Sequence, residues 1–288
     1  MTMNLNYLFF LLIITICPLH SQEISLNKSF DWKTVEKNNP KLLEDFINST
    51  PDEFDYYKQE KKYYPNINDL KNDLHVIDLN NDNLDDIVFD GYTGGEPREI
   101  SFFINTGKLF EKIFSDLQGI SKMEFNNNVL SKLIINDWGC CGEFVITQKE
   151  YDVFPNYGIL LFELKRTLKY IDNTELPTEY WLKPKTIEVL NDKYNLRYSP
   201  TIDKVTESFY SPKPTYGNII GNLSKGVEAI AIGESTDETG RIWFFVSVLP
   251  KYNISNSYFY DIPGSQKSYK CGWVSSRFVK IKTLPNNI

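Results

Sequence analysis

Apolar and polar positions first follow a helical period and then, for most of the chain, a strand period. Leu42, Leu43, Phe46 and Ile47 recur at helical spacing. Asn38-Asn39-Pro40 ahead of them supplies a cap and a first-turn proline, and Ser49-Thr50-Pro51 closes the pattern. Tyr56, Tyr57, Tyr63 and Tyr64 follow among lysines and glutamates and read as cover for a sheet edge. From Leu74 the apolar runs are short: 74–77, 87–89, 100–104, 109–114, 121–125, 129–135, 144–154 and 157–170. Asn126-Asn127-Asn128 is hairpin chemistry, and Gly94-Gly95-Glu96-Pro97 is a turn. These runs predict an antiparallel β meander of about seven strands behind a short N-terminal helical lead.

Residues 173–185, with Pro177 and Pro184 among polar neighbours, read as a linker. Beyond them Val227, Ala229 and Ala231 alternate with Glu228, Ile230 and Ile232. Glycine and proline punctuate short strands there, as in a small closed barrel. Four motifs succeed one another: Tyr194-Asn195-Leu196-Arg197-Tyr198-Ser199-Pro200, Leu223-Ser224-Lys225-Gly226, Trp243-Phe244-Phe245-Val246, and Gly272-Trp273-Val274-Ser275-Ser276-Arg277-Phe278-Val279. In that order they resemble the bacterial SH3-like domain. That family opens on Leu-Asn-Val-Arg followed by Ser or Gly and Pro, carries a Leu-x-x-Gly turn, and closes on Gly-Trp-Val-x-x-x-Tyr-Leu. The resemblance implies an SH3-like β-barrel over 186–288 with a groove facing cell-wall peptide or a protein partner. Tyr194, Tyr198, Trp243 and Trp273 are the candidate groove residues, although tryptophan in a small barrel is more often core. Segments 201–216 and 249–270 are longer than is common in the family and fall beside the groove. The fold class expected is therefore mainly β, a meander domain over 22–172 followed by this barrel.

One polar stretch interrupts the meander with chemistry of its own. Asp78-Leu79-Asn80-Asn81-Asp82-Asn83-Leu84-Asp85-Asp86 carries side-chain oxygens at its first, third, fifth and ninth positions. Ca²⁺ takes about six to eight oxygens at flexible geometry, and a short acidic loop that folds back on itself supplies them. Asp78, Asn80, Asp82 and Asp86 would give side-chain oxygens and Leu84 its carbonyl. Asn83 stands where the loop needs a sharp turn, and asparagine tolerates positive φ. No basic residue lies inside the loop, so Asp82, Asp85 and Asp86 repel one another unless a counter-ion is present. Phe89, where an EF-hand would have its bidentate Glu, excludes that motif. The stretch resembles the calcium loop of FG-GAP or VCBS-type repeats, D-x-[DN]-x-D-[GN]-x-x-D-[ILV], which implies bound Ca²⁺. A solvated acidic turn between two strands is the other reading.

Composition narrows the remaining choices. The net charge of −7 argues against a nucleic-acid partner, which needs a basic face. The uncharged run from Tyr7 to Ile16, followed by Leu19-His20-Ser21 before Gln22, predicts a signal peptide over 1–21. Export to the periplasm, cell surface or medium follows, with no transmembrane segment after cleavage. Lipid attachment at Cys17 would set the bulky Ile16 where a small residue is usual. Cys140, Cys141 and Cys271 then remain. Cys140 and Cys141, between Gly139 and Gly142, fit either a vicinal disulfide or reduced thiols in a glycine-rich turn. His75 alone would have to serve any Cys–His or Ser–His–Asp arrangement, and no family motif surrounds it. These features predict an exported, non-enzymatic binding protein whose Ca²⁺-stabilised β domain is joined to an SH3-like module. The competing reading is a cell-wall hydrolase with an unrecognised N-terminal catalytic domain.

Overall fold

The computed structural model describes residues 30–49, 70–92, 98–138, 144–208, 215–259 and 268–282. The signal-peptide stretch, the tyrosine cluster at 56–64 and both Cys140 and Cys141 lie outside the described residues. The described chain is mainly β, as the alternation predicts. An α-helix, α1, spans Pro40–Ser49. Asn39 caps it, its Oδ1 accepting the Leu42 N–H at 3.2 Å.

Eight strands follow in the predicted order: β1 Leu74–Ile77, β2 Asp86–Tyr92, β3 Arg98–Asn105, β4 Phe110–Leu117, β5 Gly119–Asn126, β6 Val129–Asp137, β7 Val145–Asn156 and β8 Ile159–Ile171. They do not form one meander. β1 to β4 make an antiparallel sheet of their own, and β5 to β8 belong to a second, larger sheet. Side-chain period explains the stacking. On β3, Ile100, Phe102 and Ile104 point towards the second sheet and meet Ile120, Leu133 and Ile135, while Phe103 points the other way. That other face is covered by α1, whose Phe46 is fully buried edge-on to Phe103 and Phe110 at 5.0 and 4.9 Å. The N-terminal half is thus three layers: helix, sheet, sheet. Two-residue turns with positive φ close the hairpins, Asn127-Asn128 (51° and 63°) between β5 and β6 and Tyr157-Gly158 (49° and 88°) between β7 and β8.

The C-terminal half continues the larger sheet. Its strands are β9 Tyr180–Val189, β10 Tyr194–Arg197, β11 Glu207–Ser208, β12 Thr215–Tyr216, β13 Ile219–Leu223, β14 Glu228–Thr236, β15 Ile242–Val248, β16 Tyr269–Ser275 and β17 Val279–Ile281. The hydrogen-bonded order runs β17-β9-β14-β15-β16, and β16 also meets β10, which pairs β13. Ile187, Leu196, Ile220, Ala229, Val246 and Val274 from six of these strands share one core. The stretch read as a linker differs from expectation, because β9 begins at Tyr180 and occupies its second half. Pro184 is tolerated there because the β9–β14 register shifts between Ala231 and Gly233, where ladder bonds are already lost. Gly272 is required where β16 crosses β10, since a Cβ would stand 2.8 Å from the Arg197 carbonyl oxygen.

The two halves join where β16 runs parallel to β8, through Tyr269 opposite Leu168 and Lys270 opposite Lys169. Apolar clusters cross this seam on both faces. Val145 and Ile171 enter the core just named, and on the opposite face Ile146, Leu168 and Tyr170 pack with Trp243, Phe245, Cys271 and Trp273.

Candidate functional site

The acidic loop is the β1–β2 connection, closed by the pairing of Ile77 with Asp86. Asn81 and Asn83 hold left-handed φ of 59° and 69°, the latter where the sharp turn is expected. This folds the backbone amides inward. Asp78 accepts the Asp82 and Asn83 N–H groups, each at 3.2 Å, and Asp82 accepts that of Leu84 at 2.8 Å. Asn80 accepts the Asp82 N–H through Oδ1 at 3.2 Å and donates to the Gly158 carbonyl at 2.9 Å, tying the loop to the β7–β8 turn.

Asp86 is different in kind. It is fully buried, and its two oxygens accept the Leu79 and Asn105 N–H groups at 2.8 Å each. Burial, with Asp82 and Asp78 nearby, pushes its carboxyl up to about 7 against the pull of those two amides. Each oxygen retains a second lone pair.

The counter-charge missing inside the loop comes partly from outside it. Lys37 Nζ donates to Asp85 at 2.7 Å and stands 4.0 Å from Asp78, and Asn39 Nδ2 donates to Asp85 at 3.1 Å. The helix cap residue therefore also fastens the loop. Among the described residues, Asp82 has no cation within 4.0 Å, and no three His, Cys, Asp or Glu side chains converge as a metal-binding group. The oxygen set proposed for Ca²⁺ rests on Asp78, Asn80, Asp82, Asp86 and the Leu84 carbonyl, of which two are not acids.

The second feature is a groove of about 200 Å³ in the C-terminal half. Tyr194, Arg197, Arg241, Trp243, Arg277 and Phe278 are among its walls. Two of the four predicted aromatics, Tyr194 and Trp243, meet there although they lie far apart in sequence. Tyr194 is half-buried, donates its hydroxyl to the Ser275 carbonyl at 2.7 Å and sits edge-on to Phe278 at 6.0 Å. Trp243 is buried and donates its indole N–H to Asp237 at 2.9 Å. Donors on Thr239 and Trp243 hold the Asp237 carboxyl well below the usual carboxylate range. Trp243 is also core, packed in one cluster with Trp273, and the other two aromatics do not reach the groove at all. Tyr198 packs among the residues shared by the six strands, and Trp273, 1% exposed, donates to the Glu175 carbonyl at 2.5 Å.

Family models, curated proteins and solved structures yield no match to this chain. The two resemblances therefore stand on their motifs alone.

His75, which any Cys–His or Ser–His–Asp arrangement would need, and Cys271, the described cysteine, sit apart from the groove. The His75 ring stacks on Trp32 at 3.8 Å and 3°, and burial depresses its pKa to about 4. Cys271 is in the core beside Ser247, its thiol pushed up to about 12 by burial. Cys140 and Cys141 are outside the described residues. No helix among the described residues is long and apolar enough to cross a membrane. Sequence reasoning missed the arginines of the groove. Arg197 and Arg277 do stand inside the quoted motifs, but nothing in either motif says that both would meet Arg241.

Proposed function

We propose that this is an exported binding protein whose C-terminal SH3-like module holds a peptide, from the cell wall or from a protein partner, and whose N-terminal β domain is fastened by Ca²⁺. The observation that carries the binding role is the convergence of Tyr194 and Trp243, from two separate motifs, on one open groove. Aromatic walls with a few polar groups are the ordinary lining of a recognition site. The insertion residue Ile202 also lines the groove, which gives this chain a rim of its own.

The cation reading is supported by the fit of the donors. Asp78, Asn80, Asp82, Asp86 and the Leu84 carbonyl would hold the ion, Asp86 through the lone pairs its two amide donors leave open. Bound Ca²⁺ would supply the positive charge that Lys37 gives to Asp85 but not to Asp82. Its part is to rigidify the loop against the β7–β8 turn, which Asn80 already touches.

The binding role is tested by sedimentation. Protein starting at Gln22 is mixed with insoluble peptidoglycan and spun. Co-sedimentation is expected, and Tyr194→Ala should weaken it at a temperature well below that variant's own melting point. A chain that stays in the supernatant, alone and against soluble wall peptides, overturns the wall-peptide reading.

A further inference from the structure

The groove is cationic in a chain that is acidic overall. Three arginines, Arg197, Arg241 and Arg277, line it, and among the described residues no Asp or Glu does. The net charge of the chain is −7, so this clustering is local and runs against the average. None of the three makes a salt bridge among the described residues. Asp237 and Glu238, just before Arg241 in sequence, line a neighbouring hollow that Arg241 also borders, and Asp237 is occupied by the Thr239, Arg241 backbone and Trp243 donors. The partly exposed Asp203 offsets the burial of Arg197 only in part.

Arg197 is 7% exposed and, among the described residues, its side chain reaches the acceptor Asn218 Oδ1 at 2.5 Å. Asn218 in turn is fixed by Ser199 and Thr201, so the guanidinium is held in place from behind. Burial, with Arg241 beside it, presses the Arg197 pKa below its ordinary value. Arg241 lies over the Trp243 ring at 5.6 Å, and its Nε is buried without an acceptor. A buried donor left unpaired is costly, and neighbouring like charges add to that cost. An anion seated between the guanidinium groups removes both costs. Arginine forks match the planar, two-oxygen geometry of a carboxylate.

We infer that this groove captures a carboxylate, the free C-terminal end of a bound peptide, between Arg197, Arg241 and Arg277. This rests on the reading of the groove as a peptide site and names the group that it selects. The rest of the peptide would lie along Tyr194 and the exposed Phe278, over the edge of the buried Trp243. Arg197 and Arg241 would hold the carboxylate, and Arg277, which is exposed, would attract it from solution.

The test uses the full chain from Gln22 and three probes: an acetylated tripeptide ending in Ala with a free carboxylate, the same peptide as its C-terminal amide, and inorganic phosphate. Shifts of the Trp243 indole N–H are followed by NMR. The free acid is expected to bind and to weaken as salt rises, and the amide to bind roughly tenfold or more weakly. Arg277→Ala and Arg241→Gln should each weaken the acid about tenfold and leave the amide unchanged. Arg277 is exposed, so its variant keeps the fold if Arg241→Gln does not. Equal binding of acid and amide overturns the inference while leaving the peptide site standing. Phosphate binding without peptide binding overturns the carboxylate assignment. Failure of the acid to shift Trp243 while the protein still sediments with peptidoglycan overturns the inference alone. Failure of both experiments removes the peptide reading as well.

Discussion

His75 is held neutral by its surroundings, and the consequence is measurable. Its ring lies flat on Trp32, with Glu36 at 3.5 Å from Nδ1 and Arg98 acting on it from the sheet. Burial outweighs the half-exposed Glu36, so the folded pKa falls to about 4 from 6.5. In the unfolded chain the ring takes up a proton near its ordinary value. The unfolded state thus binds more protons than the native state between about pH 6.5 and 4, and stability contributed at this residue is lost as pH falls through that window. The size expected is about 2–3 kcal/mol. Asp86 acts in the opposite sense, because its raised pKa makes the native state the better proton binder below about pH 7. The comparison that isolates His75 is therefore urea unfolding of the chain against His75→Phe at pH 7 and pH 4.5. Phenylalanine keeps the stack on Trp32 and removes the titration. The variant should lose less stability on acidification than the native chain. Parallel loss in both would mean that His75 titrates normally in the fold.

At the level of elements, the acidic loop is where local sequence and tertiary contact divide the work. Much of it was legible: the oxygen spacing, the β1 and β2 flanks, and the left-handed Asn83 all follow from short-range chemistry. So did the α1 cap at Asn39 and the strands β1 to β8, because strand period and turn residues are local signals. Lys37, Asn39 and Gly158 were not legible as loop partners, since each arrives from another element. Neither was the division of β1–β4 from β5–β8 between two sheets, because alternation identifies a buried face but not what covers it. β9 was hidden by Pro177 and Pro184, which punctuate as linker residues do unless a register shift accommodates them. The groove arginines were hidden for the same nonlocal reason as Lys37. The loop carries a prediction of its own. A calcium site tenfold saturated adds about 1.4 kcal/mol to stability. The melting temperature should therefore rise between EDTA and several millimolar CaCl₂, and rise less with Mg²⁺, which demands tighter octahedral geometry. Asp82→Ala should abolish the shift. In EDTA that variant should cost no more than about 1 kcal/mol, since it frees only exposed partners such as the Leu84 N–H. Superimposable native curves in EDTA and calcium would leave the loop a turn balanced by Lys37.

On the scale of the molecule, the question is where one half ends and the other begins. A boundary at 185 would cut β9, whose earlier residues matter to the C-terminal core. Trp181 packs edge-on against Phe244 at 5.6 Å. Just before β9, the Glu175 carbonyl accepts the indole N–H of the buried Trp273, and the Glu175 N–H is held by the Tyr198 carbonyl at 2.8 Å. A fragment spanning 174–288 keeps all three contacts, and one spanning 186–288 loses them. Leaving a buried indole donor without its acceptor costs about 1–3 kcal/mol, and removing the Trp181 packing adds roughly 1 kcal/mol or more. For a domain of this size that amounts to a drop in melting temperature of roughly 10 °C or more. Both fragments also lose Val145 and Ile171 from their core and the β8 edge from β16, so both should melt below the full chain. The full chain itself should unfold in one transition, because one sheet and two apolar clusters cross the seam. Calorimetry on the three proteins reads all of this. The order expected is full chain, then 174–288, then 186–288. Equal melting of the two fragments would show that the first half of β9 is dispensable. Two separated transitions in the full chain would show that the β8–β16 pairing couples the halves too weakly to make them one cooperative unit.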